Sequence, residues 1–239
     1  VTAGISSQVV TLEVRDTFGN VTTPTVGSEV TATLASTSPG PFEFRNVADD
    51  TAITEVVFAD TSQESFRYRD HRAGVHDLSA SAPGLTNTPQ AIKVVAAPAT
   101  QVVYLTPPLT ITAGTPSAPI TFERRDPFGN PNSSDPPAVF DLISSAISGE
   151  FYTLTTTSAI TRVTIPADSA TASFRYTDTV VGSVTITVAE ITASLPPISQ
   201  LHEVEGAPAV RLVITGTTTQ TAGSMQNITI LALDQFANP

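Results

Sequence analysis

An internal repeat is the feature of this sequence that most constrains its fold. An Ala-Gly pair opens three similar stretches, and each stretch ends in an Asp-x-Phe-Gly/Ala-Asn motif. The glycines of the three pairs, Gly4, Gly114 and Gly223, are 110 and 109 residues apart. A Phe-Arg-Tyr triplet and an Ala-Pro-Ala linker recur at nearly the same step. Because this step matches the size of a small domain, the sequence predicts a tandem array of similar domains.

Each repeat has the pattern of short β-strands. Apolar and polar residues alternate from Val10 to Val14, and the alternation returns at Ile120 and Phe122. A period of two is expected where one face of a sheet is buried. Gly, Pro, Asn or Asp interrupts such runs roughly every 8–12 residues, the spacing of a β-sandwich. The sequence therefore predicts an all-β chain of tandem immunoglobulin-like sandwiches, although Arg124 breaks the alternation where the first repeat has Val14.

The repeat predicts three segments along the chain. They are a first repeat that lacks its first strand, a complete repeat, and the first two strands of a third repeat, at 1–98, 99–208 and 209–239. Residues 101–110 have the pattern of an opening strand, and the first repeat has no counterpart to it. Two explanations stay open. The sequence is a window on a longer array, or the strand near 210–214 of one copy completes the first repeat of another.

The order of the motifs resembles bacterial Ig-like domains. These are the tandem modules of invasin- and intimin-type adhesins and of surface-layer or fibrous surface proteins. The resemblance rests on Val-x-Leu-x-Val-x-Asp-x-Phe-Gly-Asn, which ends at Asn20, and on Ser-Phe-Arg-Tyr-x-Asp, which ends at Asp70, followed by a glycine and a strand. It covers nearly the whole chain. It implies an extracellular, cell-surface location, a role as a spacer or adhesin stalk, and no catalytic activity.

Charge and composition restrict the partners. The formal net charge is −11, and Lys93 is the single lysine. Such an acidic chain repels the phosphates of nucleic acids and anionic lipid surfaces, so we expect no nucleic-acid partner. No apolar run reaches the ~20 residues that a membrane helix needs, so we expect no membrane insertion. The absence of cysteine excludes disulfides, thiolate nucleophiles and cysteine-based metal sites.

The Asp-x-Phe-Gly/Ala-Asn motif carries the candidate ligand residues. Carboxylate and amide oxygens suit Ca²⁺, which takes six to eight oxygen ligands. A calcium site would combine the motif residues with the aspartate that follows each Phe-Arg-Tyr triplet; the candidates are Asp16, Asn20, Asp126, Asn130, Asp70 and Asp178. The other interpretation, which we favour, is a structural turn without a cofactor. In that turn Asp accepts from a downstream amide, Phe plugs the end of the core, and Gly or Asn takes the positive φ. Ala237 in the glycine position of the third copy favours Asn as the left-handed residue.

The histidines offer no catalytic set, and we expect no enzyme activity. Asp70-His71 and His76-Asp77 are adjacent pairs, and neighbours on a strand point to opposite faces, so neither pair supplies a base and its orienting acid. The second repeat has no histidine at the matching positions. We therefore expect all three histidines, His202 included, to be solvent-exposed or in turns.

These observations predict a structural or spacer repeat of a bacterial surface or filament protein. Neighbouring copies or repeats of the same protein would be its partners, and together they would form a rigid rod or fibre. The Ala-Pro-Ala linkers favour this interpretation because proline fixes φ and restricts a hinge. The alternative is an adhesin module that binds a cell-surface glycan or a host receptor. The lack of tryptophan and the presence of only four tyrosines weigh against a glycan site.

Overall fold

A computed structural model describes residues 1–25, 27–87 and 89–239. These residues form β-strands and no helix, which confirms the predicted all-β class. They separate into two compact units, one of residues 1–99 with 125–134 and the other of 100–124 with 135–239. The first unit thus takes in residues 125–134 of the second sequence repeat, and the second unit takes in the residues of the third. The division into three segments stays a prediction. No helix in the described part of the chain is long and apolar enough to cross a membrane.

The first unit is a sandwich of two antiparallel sheets. Its strands are β1 (Val10–Glu13), β2 (Val30–Ser36), β3 (Phe42–Asn46), β4 (Ala52–Ile53), β5 (Glu55–Phe58), β6 (Gln63–Asp70), β7 (Gly74–Ser81) and β8 (Gln90–Val94). The sheet orders are β1-β6-β3-β4 and β5-β2-β7-β8. Alternation along β2 buries Ala32 and Leu34 and exposes the threonines beside them. Phe44 and Phe66 pack edge to face in the core, with ring centroids 5.4 Å apart.

The second unit repeats this sandwich with an extra strand in each sheet. Its strands are β9 (Gln101–Tyr104), β10 (Thr110–Thr112), β11 (Ile120–Arg125), β12 (Ala138–Ser144), β13 (Glu150–Tyr152), β14 (Ala159–Ile160), β15 (Arg162–Ile165), β16 (Thr171–Thr177), β17 (Gly182–Glu190), β18 (Ile198–Glu205), β19 (Arg211–Thr215) and β20 (Thr229–Leu233). The sheets are β14-β13-β16-β11-β9 and β10-β18-β17-β12-β15, and β19 pairs with β20 separately. Ile120 lies opposite Phe174 as Val10 lies opposite Phe66, so the register repeats too.

The hydrogen bonds of Arg124 account for a charged residue at this buried position of the alternation. Its side chain is buried in the second unit, and the guanidinium donates to three backbone carbonyls, those of Pro136 at 2.6 Å, Asp135 at 2.7 Å and Ser169 at 3.0 Å. A buried charge is tolerated when its donors are satisfied in this way. Val14 occupies the same position in the first unit and needs no such partners.

Two histidines lie in the sandwiches, so the prediction of exposed or turn histidines was wrong for them. His202 of β18 is 1% exposed, and its Nδ1 accepts from the backbone N–H of Leu109 at 3.1 Å. Burial lowers the pKa of His202. His76 of β7 is also buried, with Nε2 3.0 Å from the Arg72 carbonyl and 3.7 Å from the Asp70 carboxylate. His202 lies opposite Val184 of β17, and His76 lies opposite Ile92 of β8. The strand pairs β7-β8 and β17-β18 match, so the first unit has its histidine on the first strand of the pair and the second unit has it on the second strand.

Candidate functional site: the repeated turn

The first copy of the motif forms a turn that is closed by its own aspartate. The Asp16 carboxylate accepts from the backbone N–H groups of Phe18 at 2.9 Å and Asn20 at 2.8 Å, and from the Asn20 amide at 3.1 Å. The bonds from the Asn20 side chain and backbone lower the pKa of Asp16. This is the side-chain-to-backbone turn expected of Asp. In the described structure it stands exposed at one end of β1, and Phe18 is 89% exposed. We call Asp16–Asn20 the exposed turn.

The fourth residue of the motif, and not the asparagine, takes the left-handed conformation. Its φ is +85° at Gly19, +82° at Gly129 and +74° at Ala237. The prediction that Asn carries the positive φ was therefore wrong. An L-residue in this region costs roughly 1–2 kcal/mol because its Cβ approaches the following carbonyl oxygen. Ala237 is strained in this sense, and its turn is held by other contacts.

The second copy, Asp126–Asn130, makes the same internal bonds and adds contacts to residues of the first repeat within the first unit. Asp126 accepts from the N–H groups of Phe128 and Asn130, both at 2.9 Å, and from the Asn130 amide at 2.8 Å. A fourth donor is the linker N–H of Ala97 at 3.0 Å. The Ala97 carbonyl in turn accepts from the side chain of Asn132 at 2.5 Å. The linker peptide is therefore held on both of its polar groups.

The Asn130 side chain bridges the turn to the loop after β6. Its Nδ2 donates to the carbonyl of His71 at 2.7 Å, and its Oδ1 accepts from the N–H of Ala73 at 3.0 Å. The residue is 1% exposed. Both backbone groups of the loop are thus satisfied by one amide, as burial demands.

The phenylalanine of the second copy, Phe128, covers a glycine and does not enter the core. The Phe128 ring stacks on the His71 ring with centroids 4.3 Å apart and an interplanar angle of 13°. A Cβ at Gly4 would overlap the Phe128 ring, which accounts for the glycine of the Ala-Gly pair. Phe128 remains 41% exposed and Phe18 is more so. The prediction that this Phe plugs the end of the core was wrong.

The third copy, Asp234–Asn238, repeats this arrangement in the second unit. Asp234 accepts from the linker N–H of Ala207 at 3.1 Å in addition to its own turn. Asn238 donates to the Thr179 carbonyl at 2.9 Å and accepts from the Val181 N–H at 3.3 Å. Burial raises the pKa of Asp234, but its hydrogen bonds outweigh burial and leave the pKa lowered. We call Asp126–Asn130 and Asp234–Asn238 the docked turns.

The other two calcium candidates lie beside the docked turns but bind donors of their own. The Asp70 carboxylate accepts from the Tyr68 hydroxyl at 2.6 Å and the Arg72 N–H at 2.7 Å. Asp178 accepts from the hydroxyls of Tyr176 at 2.8 Å and Ser148 at 2.6 Å, among other donors. The residues that follow these two aspartates, His71 and Thr179, carry the carbonyls to which Asn130 and Asn238 donate.

Calcium binding stays a prediction. A carboxylate has about four acceptor positions, and at Asp126 four N–H donors already fill them. A cation at Asp126 would have to displace these donors. Among residues 1–25, 27–87 and 89–239, no group of three or more His, Asp or Glu side chains is placed to hold a metal.

Sequence reasoning found the turn but missed its partners. Ala73 and Asn132 join the site through backbone or amide groups that no motif marks. Two signals did point to the other partners, Ala97 and Gly4. The Ala-Pro-Ala linker and the Ala-Gly pair recur at the period of the turn, and both contact it in the structure.

The fold and the turns define a tandem β-sandwich protein in which the turn of the following sequence repeat completes each compact unit. No protein-family model and no curated protein matches the chain. Solved structures do. Domains 4 and 5 of the S-layer protein SbsC are 16% identical, with a TM-score of 0.34 over 80% of this chain and 78% of theirs. Invasin, described as a bacterial integrin-binding protein, is 15% identical, with a TM-score of 0.43 over 96% of this chain and 43% of its own.

InvD of Yersinia pseudotuberculosis is 18% identical, with a TM-score of 0.42 over 96% of this chain and 66% of that structure. The chain spans only 26% of a longer SbsC structure. Surface-layer and invasin-type proteins are also the groups whose modules the sequence motifs resemble. At these identities and TM-scores the likeness assigns no function, so a function has to be argued from the residues of this chain.

Proposed function

We propose that this chain is a structural spacer module of a bacterial cell-surface protein, in which the turn of each sequence repeat binds the repeat before it. The observation that carries the proposal is that one set of contacts occurs twice. Asn130 binds the loop after β6, and Asn238 binds the loop after β16, through the same pair of atoms and to the same kind of backbone groups. A module built only to hold a ligand needs no such repetition.

The linker contacts support the same proposal. The aspartate of each docked turn accepts from the N–H of an alanine that starts an Ala-Pro-Ala linker, Ala97 or Ala207. Proline fixes φ at the next residue, and the hydrogen bond orients the preceding peptide. Each linker is therefore restrained by a hydrogen bond and a proline, and both recur with the sandwich. The net charge of −11 favours solubility of such a module at a crowded surface.

A hydrogen-exchange measurement tests the proposal. The backbone N–H groups of Ala73 and Ala97 both donate to the second copy of the turn. We expect both groups to exchange slowly in the unmodified chain and faster in Asn130→Ala. The matched control is Asn20→Ala, which alters the exposed turn and should leave the exchange of both groups slow. Equally slow exchange in Asn130→Ala would contradict the proposed role of the turn.

The adhesin alternative makes a separate prediction. A module of that kind binds a glycan or a receptor fragment by itself. Saturable binding of the unmodified chain on a glycan array, at micromolar affinity, would favour the adhesin over the spacer. The few exposed aromatic side chains of the described residues include Phe18, so Phe18→Ala would then be the first variant to compare.

A further inference from the structure

Two arginines face outward from one strand of the first unit. Along β6, Phe66, Tyr68 and Asp70 are buried, and Arg67 and Arg69 alternate with them on the outer face of the sheet. Residues two apart on a strand are separated by about 6.6 Å, so the two side chains leave the strand at that spacing. Arg67 and Arg69 are the only two basic residues that stand two positions apart in the sequence. We call them the basic pair.

The first unit neutralises the basic pair only in part. Arg45 of β3 lies directly opposite Arg67. It pairs with Glu43 and, at 3.0 Å, with Asp50. Glu43 also lies opposite Arg69, and its carboxylate is 3.7 Å from the Nε of that arginine. Among the described residues Arg67 forms no ion pair, and its Nε is buried without a hydrogen-bond partner. Like charges on directly opposed residues destabilise a sheet, so an anion beside Arg67 would relieve this repulsion.

The same spacing with the opposite charge occurs on β18 of the second unit. Alternate residues of this strand are buried, and Glu203 and Glu205 are exposed on the outer face of their sheet. They are the only two acidic residues that stand two positions apart in the sequence. Their carboxylates accept from the hydroxyls of Ser183 at 2.8 Å and Thr112 at 3.4 Å, which leaves both charges uncompensated. We call Glu203 and Glu205 the acidic pair.

Neither unit carries both pairs. The position of Arg69 is occupied by Thr177 in the second unit, as the opposing residues Glu43 and Glu150 show. The position of Glu203 is occupied by Lys93 in the first unit. A contact between the two pairs therefore joins a first unit to a second unit, and the charge pattern disfavours contacts between like units.

We propose that the basic pair of one copy of this chain binds the acidic pair of a second copy. Each copy carries the two pairs on different units, so the contact is heterologous and can continue from copy to copy. The net charge of −11 opposes association at long range, but at 0.15 M salt a screening length of about 8 Å leaves the local pairs dominant. Exposed ion pairs contribute little each, so the association is weak. The inference is independent of the spacer role, which concerns contacts within one chain.

Charge reversal tests the contact on the intact chain. One variant carries Arg67→Glu with Arg69→Glu, and the other carries Glu203→Arg with Glu205→Arg. In sedimentation equilibrium we expect the unmodified chain to self-associate at 0.15 M salt and to be monomeric at 1 M salt, where the screening length is about 3 Å. Each variant alone should associate roughly tenfold more weakly or less, because both of its pairs have the same sign.

An equimolar mixture of the two variants should associate about as strongly as the unmodified chain, because every contact between unlike variants again joins opposite charges. The matched control is Arg175→Glu, which reverses the charge at the position of the second unit that matches Arg67 and should leave the association unchanged.

Three results would overturn the proposal. One is an unmodified chain that stays monomeric at millimolar concentration in 0.15 M salt. Another is self-association of either reversal variant as strong as that of the unmodified chain, which would place the contact elsewhere. The third is a mixture of the two folded variants that stays monomeric. If circular dichroism shows a reversal variant to be unfolded, Arg67→Gln and Glu203→Gln take its place, and unchanged association in both would likewise overturn the proposal.

Discussion

Replacing Asn130 by alanine removes the side chain that ties a docked turn to the loop after β6. The substitution deletes bonds to the Asp126 carboxylate, to the His71 carbonyl and from the Ala73 N–H, in a residue that is 1% exposed. A buried backbone group left without a partner costs about 1–3 kcal/mol, and partial access of water reduces that penalty. For the two loop groups together we expect a loss of about 2–4 kcal/mol in the free energy of unfolding of the first unit.

The matched variant is Asn20→Ala in the exposed turn. It loses one side-chain bond, to Asp16, in a solvent-exposed setting, and should cost less than about 1 kcal/mol. Both variants remove the same side chain from the same position of the motif. Their difference therefore measures the contacts that only the docked turn makes.

Scanning calorimetry of the full chain measures the effect. For a domain of this size, 1 kcal/mol moves Tm by roughly 4–8 °C, so Asn130→Ala should lower the melting transition of the first unit by roughly 10–30 °C. Asn238→Ala assigns the other transition because it removes the matching side chain from the second unit. Equal shifts for Asn130→Ala and Asn20→Ala would refute the reasoning, since the loop contacts would then contribute nothing.

Three further outcomes are expected. Ala237→Gly relieves a left-handed alanine and should raise the unfolding free energy of the second unit by about 1 kcal/mol in urea denaturation, and a decrease would contradict the strain argument. Because burial lowers the pKa of His202, the unfolded chain binds the proton first as pH falls below about 6.5, so the second unit should lose stability from there downward. His202→Ile, which copies Ile92 of the first repeat, should abolish that part of the pH dependence. Thermal melts with and without EDTA should coincide because N–H donors fill the acceptor positions of Asp126, and a calcium-dependent rise in the midpoint would establish a site.

Much of the architecture was accessible from local pattern. The alternation that starts at Val10 and returns at Ile120 predicted strands that do pair in the same register, opposite Phe66 and Phe174. Burial on alternate residues is a property of an extended chain, so it can be recognised without knowing which strands are neighbours. The break at Arg124 was visible in the same way, although its three carbonyl partners were not.

The docked turns show which features the local sequence pattern does not predict. Phe18 and Phe128 occupy the same position of the same motif, yet one is 89% and the other 41% exposed. The partners of Asn130 are backbone groups, and every residue carries those, so no side-chain signature marks His71 or Ala73 in advance. The burial of His202 likewise depends on the N–H of Leu109, 93 residues away.

The sequence by itself determined the period of the repeat, the all-β class and the internal bonds of the turn, because these follow from residue spacing and from an aspartate next to its own backbone. Tertiary structure alone decided which turns are docked and which histidine is buried. Those outcomes depend on backbone groups brought together from distant segments, and their free energy comes from excluding water at the contact, a condition that no local stretch of sequence contains.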